Sequence, residues 1–293
     1  MSGNLKEVRS RIASVGSTRQ ITQAMKLVSA SKLRRAQEAV TRMRPYASKL
    51  QEILSNVSGS LDATQNPYAL DQGKAKVLLV AITSNRGLCG PFNNNVIKAA
   101  NLRIAELEAS EVSVLSLGKK SADVFSKTDR HVTLNLGDTP FEIFDDLNFA
   151  SASAVADQIM SAFIDGSYTH IELIYNRFLN AATQSLEVEP FLPIPASEVP
   201  AGDAPKSTDY LFEPSQEEIA LNVIPNTLKT QLYKALLDSH ASEHGARMTA
   251  MHAATDNASE MLKELKLMYN KARQAAITGE ILEIVGGAEA LEG

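Results

Sequence analysis

Leu33, Ala36, Val40, Met43, Ala47, Leu50, Leu54 and Val57 recur at alternating steps of three and four residues. A repeat of 3.5 keeps one narrow stripe turned toward one partner, so this seam predicts a coiled-coil helix rather than a globular surface helix. Leu5, Val8, Ile12 and Val15 open a similar seam, and Ile21, Met25 and Val28 stand slightly off it, as a stutter requires. The pattern predicts one helix of ~80 Å from Asn4 to about Val57, bent at Pro45 where a backbone donor is lost. A second seam runs through Ala254, Ala258, Met261, Leu265, Met268, Ala272, Ala275, Gly279 and Leu282, again by fours and threes. No proline follows Asn226, which predicts a rod of ~90 Å with Gly286-Gly287 as its stop.

Between the seams the pattern changes. Lys76–Thr83 is a continuous apolar, β-branched run of the kind that forms a buried parallel strand. Val112–Leu117, a weaker Val132–Leu136, His170–Tyr175 and Ser185–Phe191 read as further strands. Helices are expected from Asn93 to about Ala109 and from Phe149 to Ile164. Strands alternating with helices at these lengths form an α/β unit. Gly, Asn, Pro and Asp between Ser58 and Gly73, and prolines from Pro190 to Pro205, mark its boundaries. The fold class expected is an α/β domain plus a long antiparallel coiled coil of the N- and C-terminal helices. Residues 1–58 form one coiled-coil helix, 74–192 a Rossmann-like domain and 209–287 the other helix.

Composition agrees with a rod. Aromatic residues make up 5% of the 293 and there is no Trp, which is thin for a broad core. The single Cys89 excludes an internal disulfide framework and a cysteine zinc ribbon. The start of the chain is polar and charged, without the apolar core of a signal peptide. The longest apolar runs fall far short of the ~20 residues needed to cross a bilayer. A cytosolic, helix-rich protein is expected. The net charge of −5 hides an asymmetry: residues 1–58 hold eleven Lys and Arg against three acids, a net +8. The remainder holds 18 basic and 31 acidic groups, a net −13. Such a split points to an acidic or polyanionic partner for the basic part.

Three features carry candidate chemistry. The turn Thr83–Gly90 follows a strand and is glycine-rich, as a phosphate-cradling loop is, but lacks the spacing of either nucleotide fingerprint. A tight strand-to-helix turn, with Cys89 as a small buried residue, is the plainer reading. His240, Glu243 and His244 match the H-x-x-E-H pattern of inverzincin peptidases, with His252 as a third ligand. On a narrow Ala- and Met-rich rod, two solvated histidines are the expectation instead. The basic face around Arg34, Arg35, Arg42 and Arg44 suits phosphates, but no aromatic residues are interleaved for base stacking. An acidic protein loop sliding past the rod suits it as well.

Several ordered motifs then coincide. Arg11–Val15, Thr18–Met25, Arg44-Pro45-Tyr46, Ser84–Gly90, Ala246–Met248, Ala253–Ala258 and Tyr269–Ala275 through Val285 resemble the γ subunits of bacterial F-type ATP synthases over essentially the whole chain. The resemblance implies a rotor shaft with no catalytic, cofactor or metal site of its own. Its partners would be a hexamer of α and β subunits, the ε subunit and the membrane c ring, with no nucleic acid. The whole would sit peripherally on the cytoplasmic face of the bacterial inner membrane. By family position Met25, Arg247, Gln274, Thr278 and Glu280 would couple rotation to catalysis, and Arg34 and Arg35 would meet an acidic loop of β. Residues near Ile281–Gly287 would turn in an apolar bearing, and Tyr210, Phe212 and Glu213 would face ε and the c ring. Asn85, His244 and Gly245 depart from the family's usual Asp, Gln and Ala.

Overall fold

Alternate residues of strand β1 (Lys76–Ile82) serve two different cores. Leu78, Val80 and Ile82 enter one, Val77, Leu79 and Ala81 the other, and all six are fully buried. Burial on both faces is what the unbroken apolar run predicted, because a period-2 strand covered on both sides has no polar face. The computed structural model describes the chain apart from residues 1, 59–66, 70–72, 74, 108–109, 135, 137–139, 195–215 and 293. Of residues 2–4, 51, 54–58, 216–222 and 289–292 it describes the backbone only.

The sheet has five strands in the order β3-β2-β1-β4-β5. β2 (Glu111–Leu117), β1 and β4 (His170–Phe178) are parallel neighbours, as is the two-residue β3 (His131–Val132) beside β2. β5 (Gln184–Leu192) closes the edge antiparallel to β4. β3 is shorter than the sequence suggests, and Leu134 takes a positive φ of 48° that ends it. One face is covered by α2 (Phe92–Glu106) and a short α3 (Lys119–Phe125) that the pattern did not announce. The other is covered by α4 (Phe149–Ile164) and by Leu228, Leu232, Ala235 and Leu236 of the last helix. α4 starts at a capping box, where the Asn148 side chain accepts from Ser151 N at 2.9 Å. Its Ala152, Val155, Ala156, Ile159, Met160 and Phe163 are buried, one stripe at helical spacing.

The two long helices are α1 (Ser2–Ser58, 57 residues) and α5 (Gln216–Glu292, 77 residues). α1 runs unbroken through Pro45; Thr41, whose carbonyl the proline leaves without a donor, is exposed to water there. α5 continues through Gly286-Gly287 to Glu292, so those glycines do not stop it. Two compact units result. Ser31–Ala246 form one and Met1–Ala30 with Arg247–Gly293 the other. Among the described residues no helix is long and apolar enough to cross a membrane.

Two close-range constraints hold the sheet unit. Gly118, between β2 and α3, has φ +124°, and a Cβ there would lie 2.1 Å from the Thr83 carbonyl oxygen. Beneath α2, Arg103 grips the buried Glu172 through Nε and Nη2 at 2.7 Å each, and His170 lies 2.9 Å from the same carboxylate. Burial pushes the Glu172 carboxyl up, but the hydrogen bonds from Arg103 and His170 outweigh it and hold the group at about 2.

Gly118→Ala is therefore expected to cost at least ~3 kcal/mol or prevent folding. Gly16→Ala, in α1 with nothing within 4 Å of the new Cβ, is expected to gain ~0.5–1 kcal/mol; thermal melting of both variants checks the contrast. Arg103→Met strands a buried carboxylate and is expected to cost ~3–5 kcal/mol at pH 7. Ionised Glu172 contributes stability that is present above the ordinary carboxylate pKa and lost as pH falls through about 2. The gap between variant and wild type in urea unfolding is thus expected to narrow as the pH drops below 4.5.

Candidate functional site

The first candidate is the crevice at the carboxyl ends of β1 and β4, where the strand order reverses and α/β sheets commonly bind nucleotides. Here protein fills it. Cys89 and Phe92 are buried against Ala246 of α5, and Asn176 donates to the Phe92 carbonyl at 3.1 Å. The turn Thr83–Gly90 spends its polar groups on itself and on the elements packed against it. The Ser84 hydroxyl donates to Arg86 O at 2.6 Å, and Asn93 accepts from Ser84 N and donates to Cys89 Sγ. Asn85 donates to Phe141 O at 2.8 Å and accepts from Lys119 N at 3.1 Å. Both ends of its amide are used, a pairing that an ionised aspartate cannot make. The turn is a structural corner.

His240 and His244 are the second candidate, and the expectation of two solvated histidines is corrected. His244 is buried, its ring lies edge-on to His240 at 4.5 Å, and His240 stacks on Phe144 at 6.3 Å. α5 is not a bare rod at this level, because the helix lies on the sheet unit. Gly245 explains itself similarly: a Cβ there would come within 3.0 Å of Ala181 O in the β4–β5 hairpin. Among the described residues no three His, Cys, Asp or Glu side chains gather as a metal site would need.

The third candidate is the surface of the two-helix unit. Its helices run antiparallel, with Thr255 Oγ1 donating to Thr22 Oγ1 at 2.8 Å and Lys26 Nζ 3.3 Å from His252 Nδ1. Seam positions differ from those read off the apolar pattern. Ile21 and Val28 are 60% and 58% exposed, while their neighbours Thr22 and Ser29 are 8% and 3%. On α5 the covered stripe is Met251, Thr255, Ala258, Leu262, Leu265, Tyr269, Ala272, Ala276 and Gly279; Met261, Met268, Ala275 and Leu282 are exposed. The reason is spacing. Thr22, Ser29 and Ala36 step by sevens, so the 3.5 repeat runs on without a stutter, and two of its positions carry hydroxyl residues that a search for apolar residues passes over.

The residues singled out for coupling are strung along this unit rather than clustered. Met25 is half-buried, Arg247 is buried, and Gln274, Thr278 and Glu280 are exposed. Gln274 and Thr278 share a helix face, ~40 Å along the axis from Arg247. Ile277, Ile281, Leu282, Ile284 and Val285 are also exposed, as is Leu27 on α1. In the sheet unit, Arg34 and Arg35 are exposed and have no acidic partner among the described residues. Tyr210, Phe212 and Glu213 lie outside the described residues.

Known proteins resemble this chain along its whole extent. The model of a family described as ATP synthase matches residues 4–291. An ATP synthase gamma chain of Flavobacterium johnsoniae is 57% identical over 294 residues, covering 99% of each chain. That of Cytophaga hutchinsonii is 51% identical, covering 98% of this chain and 99% of its own. Among solved structures, a central stalk/c-ring chain of Tetrahymena thermophila mitochondrial ATP synthase has a TM-score of 0.56 at 25% identity. It covers 80% of this chain and 99% of its own. A rotor chain of Euglena gracilis mitochondrial ATP synthase has a TM-score of 0.66 at 24% identity over 94% of this chain and 100% of its own, which bears on the fold alone.

The seam as built makes a prediction opposite to that of the apolar pattern. Ile21→Ser is expected to change stability by less than ~0.5 kcal/mol. Thr22→Ile forces a larger side chain between the helices and is expected to cost ~1–3 kcal/mol. Thermal unfolding followed by helix circular dichroism discriminates the two.

Proposed function

The chain belongs to the ATP synthase gamma-chain family, and on that premise we propose that it is the central rotor shaft of a bacterial F-type complex. In this reading it carries no catalytic group. It couples ion flow through the membrane c ring to ATP synthesis or hydrolysis on the β subunits by turning inside the α/β hexamer. It is peripheral to the cytoplasmic face of the inner membrane, attached through the complex.

One observation carries the reading. The two-helix unit keeps a narrow seam for itself and leaves large apolar side chains such as Ile277, Ile281, Leu282 and Ile284 exposed. Fully burying such a side chain is worth ~1.5–3 kcal/mol, and shifting a partner's two-state equilibrium from 1:99 to 99:1 takes ~5.5 kcal/mol. A few differential contacts therefore suffice to choose the state of a β subunit. Because the two helices present different residues around the rod, each surrounding subunit meets a different face, and rotation passes the bias from one to the next.

The half-buried Met25 and the exposed Gln274, Thr278 and Glu280 form the coupling face in this proposal. Arg247, buried in its own chain, joins them on family position. Arg34 and Arg35 meet the acidic loop of β, whose charge the +8 segment lacks internally. Tyr210, Phe212 and Glu213 are assigned to the ε and c-ring side by family position alone.

Reconstitution tests the proposal. Purified α and β subunits are expected to hydrolyse ATP cooperatively and continuously only when this chain is added; hydrolysis by the chain alone, or indifference to its addition, overturns the shaft. In the membrane-bound complex, Arg34→Glu with Arg35→Glu is expected to lower ions pumped per ATP several-fold while leaving assembly intact. Unchanged pumping removes the proposed contact with β.

A further inference from the structure

Arg44, the residue before Pro45 in α1, reaches two other elements with one nitrogen. Its Nη2 donates to the carbonyl of Phe178, at the end of β4, at 2.9 Å, and lies 3.5 Å from Oδ1 of Asp238 in α5. The Arg44 side chain is 49% exposed and that of Asp238 only 1%. Neither Asp238 oxygen has a hydrogen-bond partner among the described residues. We propose that Arg44 and Asp238 form a charge-dependent latch that fixes the register of α1 against α5 and the β4–β5 hairpin. The inference rests on the shaft reading for its purpose, which is to hold the two long helices together under torsion.

Stability is a poor reason for such a pair. A buried carboxylate with one cation at 3.5 Å and no hydrogen bond is costly to desolvate, and apolar replacements of buried ion pairs are often neutral or better. Burial pushes the Asp238 carboxyl up, against the pull of Arg44, of Lys234 on its own helix and of Arg177 on β4. The remaining charged and titratable neighbours do not relieve it. Tyr175 of β4 donates its hydroxyl to Glu189 of β5 at 2.6 Å, which Gln231 of α5 also holds.

Register is what the pair supplies. Beside it the covered positions of α1 are Val40, Met43 and Ala47, whose apolar contacts are non-directional and tolerate rotation or sliding. A guanidinium held over one carboxylate and one carbonyl tolerates neither. The hairpin is the third anchor, since its Ala181 also abuts α5 at Gly245. Protonating Asp238 removes the attraction and leaves only the Phe178 hydrogen bond.

The test uses the assembled complex in membrane vesicles, reading ions pumped per ATP hydrolysed together with thermal melting. Arg44→Met and Asp238→Leu are each expected to lower the pumping ratio several-fold. The double variant is expected to recover wild-type melting but not the ratio, a split that a merely structural role does not give. The wild-type ratio is expected to fall on acidification, and that of the double variant to stay flat over the same range. Recovery of the ratio in the double variant, single variants that pump like wild type, or identical pH profiles would each overturn the latch. Where Asp238→Leu does not fold, Arg44→Lys carries the test: wild-type melting with a reduced ratio supports the latch, and a wild-type ratio refutes it. If the wild-type chain fails to confer sustained ATPase on α and β, the shaft reading has failed; if it succeeds and the variants match it, only the latch has.

Discussion

A parallel sheet has two apolar faces, and neither can be left to water. That constraint organises this molecule. α2 and α3 cover one face and α4 covers part of the other, but Leu228, Leu232, Ala235 and Leu236 of α5 complete it. The sheet unit therefore ends at Ala246, deep inside a helix, rather than at a loop. The largest fully buried side chains, among them Tyr175, Phe125, Phe163 and Phe191, all lie in this unit. Among the described residues of the two-helix unit the buried apolar residues are few, Met251, Ala258 and Leu265. At ~25 cal/mol per Å² of apolar area, so thin a seam contributes little, and isolated helices draw most of their stability from packing. The large apolar residues of that unit are left exposed by this chain.

The cations divide along the same line. Arg103 is consumed by Glu172 and Glu106, and Arg44 by Phe178 and Asp238, all inside the sheet unit. Arg34 and Arg35, roughly two and a half to three turns before Arg44 on the same helix, point to solvent. Position on the helix face decides this rather than residue type. An Arg over a buried carboxylate becomes part of the architecture, and an Arg on the open side remains available to another chain.

Much of the fold is legible in the sequence where side-chain size and polarity agree. β1 and α4 are examples: an unbroken apolar run, and an apolar stripe behind an Asn148 cap, each admit one reading. The seam of the two-helix unit is less legible because its covered positions include Thr22, Ser29 and Thr255, and the hydroxyls of Thr22 and Thr255 bond to the helix or to each other. Heptad arithmetic on apolar residues then selects Ile21, Val28, Met261 and Met268, which face outward. The burial of His244 was hidden for another reason: nothing local in H-x-x-E-H records that a sheet lies across the helix there. Of the candidate surface, the exposed Arg34 and Arg35 were visible as a charge excess, whereas Arg44 was counted with them and turns out to be engaged by Phe178 and the buried Asp238 of its own chain.

Asn85 has a consequence for how the corner after β1 responds to its surroundings. The amide donates to Phe141 O and accepts from Lys119 N, and neither bond involves a group that titrates in the range where cells live. An aspartate at this place would hold one of those two bonds as an anion and would need a proton to make the other. With asparagine the corner is blind to acidity. These two ties between β1, α3 and the Phe141 turn therefore neither gain nor lose a proton when the medium around the protein changes.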